Sequence, residues 1–145
     1  MSDSVLKLEN TSIFQDKNLI LSEINIDVKK GEFVYLIGKT GSGKSSLLKT
    51  LYGDLKLNHG KGEIVGFDLE ALKDKKIPFL RRKLGIVFQD FKLLNERTVY
   101  GNLKFVLQAT GWKEREKINQ KIEAVLTKVN MESKKDKFPF ELSGG

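Results

Sequence analysis

The chain has 145 residues, no cysteine and a formal net charge of +7. This length favours one domain with a substantial core, and the absence of cysteine excludes disulfides and thiolate metal sites and favours the reducing cytosol. The basic residues are spread out, and no stacking aromatics alternate with them. We therefore expect a solvated surface that does not bind nucleic acid, with a contact to a membrane-embedded partner or to acidic headgroups as the alternative.

The first predicted elements are two antiparallel strands. Leu6 and Leu8 alternate with charged neighbours, and apolar residues alternate with polar ones from Ile24 to Val28, which is the period of half-buried strands. The apolar run 33–37 that follows shows no alternation, as expected of a strand that is buried on both faces. We therefore predict a central strand at this run.

A helix is predicted shortly after the central strand. From Lys44 to Tyr52 the apolar spacing is helical, with Leu47, Leu48 and Leu51 on one side. Glycines and short apolar runs then predict two brief strands, within 60–66 and at 86–88.

The last third of the chain is predicted to be helical. The apolar spacing indicates two helices, and we expect their core-facing sides to consist of Val99, Leu103, Val106 and Leu107 in the first and of Ile118, Ile122, Val125, Leu126 and Val129 in the second.

The segment from Gly38 to Ser45 fits the phosphate-binding pattern G-x-x-x-x-G-K-[ST] and lies between a predicted strand and a predicted helix. A helix N-terminus offers unpaired N–H groups and the positive end of a dipole, and glycines let the backbone approach a phosphate closely. The ammonium of Lys44 adds a positive charge, and the hydroxyl of Ser45 is a suitable ligand for Mg²⁺. We predict a nucleotide site formed by Gly38, Lys39, Thr40, Gly41, Ser42, Gly43, Lys44, Ser45 and Ser46.

Three further features resemble ABC-transporter ATPases. Phe14 stands where that family has an aromatic residue that stacks on adenine, although an isolated phenylalanine can equally be a core residue. The run Val-Phe-Gln-Asp ending at Asp90 resembles the Q-loop, and Leu-Ser-Gly-Gly, starting at Leu142, resembles the signature motif. The resemblance implies an α/β P-loop NTPase fold of the ABC ATPase type, here incomplete, with an antiparallel β subdomain, a partial RecA-like core and an α-helical subdomain. We expect the first two parts within 1–90 and the helical subdomain within 91–145.

The same resemblance implies roles for the two later motifs. Gln89 would reach Mg²⁺ or the attacking water as an auxiliary catalytic group. The signature residues Ser143, Gly144 and Gly145 would contact the γ-phosphate held by the opposite subunit of a homodimer. The expected cofactors are therefore ATP and Mg²⁺, with the metal at Ser45 and Gln89, and the expected partner is a second copy of the ATPase.

The stretch from Ile77 to Leu94, with Arg-Thr-Val-Tyr after it, resembles the FtsE family of cell-division ATP-binding subunits. The LolD and MacB families of lipoprotein-release and efflux ATPases remain the alternative. The resemblance implies an integral membrane subunit of the FtsX type as the partner. The run 33–37 is too short to span a bilayer, and we expect a cytoplasmic protein, peripheral at the inner face of the cell membrane.

Several groups needed for hydrolysis follow the signature in the family, namely the Walker B carboxylates, the D-loop and the switch histidine. His59 lies in a predicted loop far from the switch position, and we expect it to be a surface residue. Because phosphoryl transfer requires a complete set of positioned groups, we expect the full-length protein to be an ATPase and residues 1–145 to bind ATP without hydrolysing it. No GTPase motifs follow the P-loop, whereas a non-catalytic nucleotide-binding module remains an alternative. Unpaired strand edges further predict self-association or reduced stability of residues 1–145.

Overall fold

The computed structural model describes residues 3–143. The chain forms two compact units, Met1–Ile86 and Val87–Gly145. The subdomain boundary expected near residue 90 remains a prediction. In the part of the chain that the structure describes, no helix is long and apolar enough to cross a membrane.

The first unit contains a four-stranded antiparallel sheet in the order β2-β1-β3-β4. The two long strands, β1 (Ser4–Gln15) and β2 (Asn18–Lys29), form a hairpin, as their alternating sequences predict. The shorter strands are β3 (His59–Ile64) and β4 (Phe67–Asp68), and β3 confirms the strand predicted within 60–66.

The sheet packs with two helices, α1 (Lys44–Leu51) and α2 (Ile77–Arg81), around one apolar core. Leu47 is buried as predicted, whereas Leu48 is 51% exposed, so its predicted place on the buried side is wrong. The buried members of this core are Leu8, Ile13, Leu47, Leu57, Ile64, Leu69 and Leu80.

The apolar run 33–37 does not form the predicted central strand. It has no regular secondary structure, and Phe33 and Ile37 are 81% and 88% exposed. None of the four strands described in 3–143 pairs with it. A strand exists only where a neighbour accepts and donates its backbone hydrogen bonds, so apolar composition is not sufficient. The strand predicted at 86–88 is also absent, since this segment has no regular secondary structure and Val87 is 91% exposed.

The second unit contains a helical pair, α3 (Val99–Ala109) and α4 (Arg115–Lys128), and two single-turn 3-10 helices, Glu132–Lys134 and Pro139–Glu141. The two predicted helices are therefore confirmed. Val106 and Val129 are 56% and 60% exposed, so these two predicted core positions are wrong. The core consists of buried Ile118, Ile122 and Leu126 with Val99, Tyr100, Leu103, Leu107 and Met131 packed against them.

Candidate nucleotide-binding site

The predicted phosphate loop leads directly into α1. Gly38 to Ser42 are exposed, and Gly43 is the N-cap residue of the helix. No side chain caps the first turn of α1, and that turn contains no acidic residue. The N–H groups of a helical first turn have no partner within the helix. This end of α1 therefore offers donors and a positive dipole end to an anion.

Gly43 allows the loop to pack closely against side chains of β2. Its φ of 88° lies in the left-handed region, and a Cβ at this position would lie 2.8 Å from Cγ2 of Ile20 and 2.9 Å from Cγ of Leu21. Both the conformation and the space therefore require glycine. A Cβ on Gly38 would lie 2.6 Å from Oγ of Ser42, so the first glycine of the motif allows the loop to fold back on itself.

The ammonium of Lys44 lies across the loop. Nζ donates to the carbonyl oxygens of Gly38 and Lys39 at 2.6 and 2.7 Å, and Oγ of Ser42 is 3.4 Å away. The loop is also closed by the N–H of Ser42, which donates to the carbonyl of Lys39 at 3.1 Å. The charge is thus held at the loop by short contacts, where a phosphate bound to the loop would meet it.

The two serines after Lys44 differ in their surroundings. Ser46 is buried, and its carbonyl accepts a hydrogen bond from Oγ1 of Thr50 at 3.0 Å, whereas Ser45 lies beside the loop at the start of α1. Within residues 3–143, no group of three or more histidine or acidic side chains could hold a metal ion. The Ser45 hydroxyl fits Mg²⁺ shared with phosphate oxygens and water, which is how this ion commonly binds beside nucleotides.

Phe14 lies near the end of β1, in the same unit as the phosphate loop. It is half-buried and pairs with Leu19, and its neighbour Ile13 pairs with Leu21, whose side chain adjoins Gly43. Because successive side chains of a strand point to opposite faces of the sheet, the position of Ile13 does not define that of the Phe14 ring, and the contact of Phe14 with adenine remains a prediction. The His59 ring lies 4.9 Å from the Phe14 ring at an angle of 45°. The sequence did not predict this contact.

His59 is exposed, as predicted, but it is the first residue of β3 rather than part of a loop. It pairs with Ser12 across a register shift in β1. No local pattern in the sequence indicates this pairing, because the two residues are far apart along the chain and a bulge interrupts the alternation.

Gln89 is exposed and belongs to the second unit. A tight turn follows it, with positive φ at Phe91 and Lys92 and a bond from the N–H of Phe91 to the carbonyl of Phe88 at 3.0 Å. Nζ of Lys92 lies 2.7 Å from the carboxylate of Asp90. The hydrogen bond from Lys92, together with its positive charge, lowers the pKa of Asp90 below its usual range.

Ser143 follows the 3-10 turn Pro139–Glu141, whereas Gly144 and Gly145 lie outside the described residues. The carboxylate of Glu141 accepts from the N–H of Phe138 at 2.7 Å and from Nζ of Lys137 at 3.1 Å. The backbone N–H of Phe138 is the main cause that lowers the pKa of Glu141, and Lys137 adds to it. The segment before the signature is therefore a turn in which the carboxylate of Glu141 accepts the N–H of Phe138, the residue that precedes the turn.

Residues 21–145 match the protein family described as ABC transporter. The chain belongs to the ABC transporter family. This membership confirms the resemblance inferred from the P-loop, Q-loop and signature motifs, and it implies ATPase activity for full-length members.

Curated members of the ABC family resemble the chain over most or all of its length. The cell division ATP-binding protein FtsE of Streptococcus pneumoniae strain D39 is 38% identical over 145 residues, which is 100% of this chain and 60% of that protein. The methionine import ATP-binding protein MetN of Carboxydothermus hydrogenoformans is 37% identical over 141 residues, covering 97% of this chain and 42% of that protein. The chain thus spans 60% or less of the length of these two relatives.

Solved ABC cassettes share the fold. A dimeric, post-hydrolysis structure of the cassette MJ0796 bound to ADP and Pi is 28% identical, with a TM-score of 0.79, covering 96% of this chain and 63% of that one. The cassette cbiO1 of Clostridium perfringens, part of the complex cbiONQ, is 31% identical with a TM-score of 0.82, covering 98% and 57% of the two chains. The predicted fold class, a partial ABC ATPase fold, is therefore confirmed.

Proposed function

We propose that this chain is the ATP-binding part of an FtsE-like ABC ATPase that couples ATP binding and hydrolysis to a membrane partner in cell division. The observation that carries the nucleotide site is the phosphate loop. Nζ of Lys44 lies on the carbonyls of Gly38 and Lys39 at 2.6 and 2.7 Å, directly before a helix whose first turn has no side-chain cap. Donors and positive charge converge there without a competing carboxylate in that turn.

Each part of the loop has a separate task in binding. The backbone N–H groups of the first turn of α1 would bind phosphate oxygens, and the ammonium of Lys44 would move from the loop carbonyls to the β- and γ-phosphates. The hydroxyl of Ser45 would bind Mg²⁺ beside the phosphates. Phe14 would offer a ring face to adenine. These groups bind and orient the nucleotide.

Hydrolysis is proposed to require a second copy of the full-length protein. Ser143, with Gly144 and Gly145, would contact the γ-phosphate of the nucleotide bound by the opposite copy, and Gln89 would reach Mg²⁺ or the attacking water. The similarity to a cassette solved as a dimer with ADP and Pi supports this arrangement. Since turnover also needs a metal-binding carboxylate and a group that orients water, residues 1–145 are expected to bind ATP without turnover.

The cell-division role is supported by FtsE relatives that are 38% and 42% identical to this chain. In that role the partner is an FtsX-like integral membrane subunit, and the protein acts at the inner face of the membrane. A substrate importer is the second candidate, because a MetN relative is 37% identical over 97% of the chain. A lipoprotein-release or efflux role of the LolD or MacB type is a further alternative.

Titration with Mg–ATP tests the nucleotide site. We expect residues 1–145 and the full-length protein to bind Mg–ATP, and Lys44→Ala to weaken binding by about 10- to 150-fold, since a hydrogen bond to a charged group contributes about 1.5–3 kcal/mol. The exposed Lys61 in β3 provides the matched control. Lys61→Ala removes the same charge and should bind as the unchanged chain does. Equal affinity of Lys44→Ala and Lys61→Ala would contradict the proposed site.

A phosphate-release assay on the same proteins tests the division of labour. Turnover is expected from the unchanged full-length protein. Residues 1–145 should show no turnover, with or without either substitution. Phosphate release by residues 1–145 that Lys44→Ala abolishes would overturn that part of the proposal. Copurification of the full-length protein with a division-type membrane subunit, and not with an importer subunit, would distinguish the two candidate roles.

A further inference from the structure

Asn102, in the first turns of α3, binds the loop that precedes this helix. Its Oδ1 accepts from the N–H of Leu94 at 2.9 Å. Its Nδ2 lies 3.0 Å from the carbonyl of Leu94 and 3.1 Å from the carbonyls of Arg97 and Thr98. Only this orientation of the amide is satisfied, because the reverse orientation would set an acceptor against three carbonyl oxygens. The side chain therefore requires both a donor and an acceptor.

The same turn of α3 also binds a second, distant segment. The N–H of Val99 donates to the carbonyl of Lys137 at 2.8 Å, and the N–H of Tyr100 donates to the carbonyl of Lys135 at 2.8 Å. These N–H groups have no acceptor within their own helix, so the pairing satisfies donors that the helix end leaves over. The first turn of α3 thus joins two stretches of chain, one through the side chain of Asn102 and the other through the backbone N–H groups of Val99 and Tyr100.

Each stretch continues to one of the two motifs of this unit. Leu94 follows Gln89 after the tight turn at Phe91 and Lys92. Lys137 is followed by the turn that Glu141 closes on the N–H of Phe138 and then by Ser143.

We propose that the first turn of α3 is a junction that holds the loop after Gln89 and the segment before Ser143 in one arrangement, with Asn102 as its positioning residue. This inference rests on the proposed function, in which both motifs act on nucleotide. In this proposal Asn102 is a positioning residue and not a catalytic group. It acts through the loop that it binds, and the backbone of Val99 and Tyr100 carries the constraint to the signature side.

The first variant, Asn102→Ala in the full-length protein, removes all contacts of the side chain with the loop. We expect amide exchange at Leu94 to accelerate by roughly tenfold or more and exchange at Val99 and Tyr100 to accelerate with it. The kcat for ATP should fall about tenfold to a hundredfold, as for a misplaced catalytic group. The affinity for Mg–ATP should stay within about twofold, since none of the residues proposed to bind the phosphates lies in α3.

The second variant, Val99→Pro, removes one of the two hydrogen bonds on the other side of the junction and leaves the bond from Tyr100 to Lys135. Proline suits the first position of a helix, and Thr98 before it has ψ 170°, a conformation that a following proline favours. The change therefore removes the donor to Lys137 and keeps α3. We expect kcat to fall as in Asn102→Ala, and the double variant to cost less than the product of the two single effects.

Thr98→Ala is the matched control. Its hydroxyl accepts from the N–H of Gly101, at 3.1 Å, within the same turn. Loss of this cap costs about 1 kcal/mol of stability, but it leaves both sides of the junction, so kcat and Leu94 exchange should remain within about twofold. If Asn102→Ala does not fold, Asn102→Asp keeps the acceptor for Leu94 and loses the donors, and it should give the same loss of kcat.

Two results would overturn the inference. In the first, Asn102→Ala accelerates exchange at Leu94 alone and leaves kcat unchanged, which would make it a local structural residue. In the second, Val99→Pro hydrolyses ATP normally. Failure of the unchanged full-length protein to bind or hydrolyse ATP would instead overturn the proposed function, and the exchange data on Leu94, Val99 and Tyr100 would still decide whether the junction exists.

Discussion

Individual residues of the phosphate loop could be predicted because their chemistry is local. The need for glycine at position 43 follows from the pattern, and the structure adds its cause, because side-chain atoms of Ile20 and Leu21 would lie 2.8 and 2.9 Å from a Cβ there. The role of Lys44 could be predicted in the same way. The contacts that Lys44 makes with Gly38 and Lys39 depend on how the loop closes, which the pattern does not specify.

Phe14 carries a prediction at this scale. Phe14→Leu keeps an apolar side chain and removes the ring, so it should weaken binding of Mg–ATP by about 1–3 kcal/mol, or roughly 5- to 150-fold. Binding of Mg–pyrophosphate, which has no base, should not change. Phe14→Tyr retains a ring face and should bind ATP within about twofold of the unchanged chain. Competition titrations with both ligands measure the difference.

The alternative for Phe14 is a purely structural residue packed on His59. In that case Phe14→Leu would lower thermal stability and would affect ATP and pyrophosphate equally. The ring contact of 4.9 Å between Phe14 and His59 makes some loss of stability expected in either case. The ratio of the two affinities, rather than either affinity alone, is therefore the deciding measurement.

At the scale of elements, the hairpin and the helical pair were predictable because each buries one face against a neighbour that the chain itself supplies. The alternation in β1 and β2 and the spacing of Ile118, Ile122 and Leu126 record that burial directly. Val106 and Val129 have the same apolar character but are exposed, since spacing alone does not define the width of the buried stripe.

The turn before the signature carries a pH prediction. Its bond from the N–H of Phe138 lowers the pKa of Glu141 below its ordinary value of 4.5. A lowered pKa means that the carboxylate stabilises the folded turn fully above the ordinary value, and that this contribution is lost as the pH falls through the lower folded value. We expect the Phe138 amide signal to titrate only in that acidic range when the pH is lowered from about 7 to about 3.

Two variants distinguish the causes of that shift. Glu141→Gln should abolish the titration of the Phe138 amide, because no ionisable group remains there. Lys137→Ala removes the ion pair at 3.1 Å but keeps the backbone hydrogen bond, so the titration should persist at a slightly higher pH. A Glu141 pKa at or above its ordinary value would contradict the bond from Phe138.

At the scale of the whole molecule, the sequence predicted a central strand that the described residues do not form. The run 33–37 has the composition of a strand buried on both faces, yet it lies exposed because no described strand offers it hydrogen bonds. Composition reflects the surroundings in which a segment can be buried, whereas secondary structure needs the neighbour itself. The apolar character of the run 33–37 could therefore be predicted from the sequence, whereas the absence of a neighbouring strand could not.

The exposed run leads to a prediction for residues 1–145 as an isolated chain. Phe33, Tyr35 and Ile37 are 81%, 77% and 88% exposed, and apolar segments with unpaired backbone groups favour association. We expect oligomers in light scattering as the concentration rises through the micromolar to millimolar range. Substituting Val34 and Ile37 by lysine should restore the monomer at little cost in stability, because both side chains are exposed.

The control for this experiment is Val129→Lys, which adds a charge at a single valine that is 60% exposed outside the run. It should leave the association unchanged. A monomer at all concentrations for the unsubstituted chain would contradict the prediction, as would equal suppression of association by Val129→Lys.

The bonds from Val99 and Tyr100 to the carbonyls of Lys137 and Lys135 have a consequence for how this family can diverge. Every residue type has a carbonyl oxygen, so positions 135 and 137 can change identity without loss of the connection. The number of residues between them and the signature cannot change so freely, because an insertion would move a different carbonyl opposite each donor. We therefore expect the length of the segment between position 135 and the signature to be conserved. Insertions and deletions there should be selected against more strongly than point substitutions.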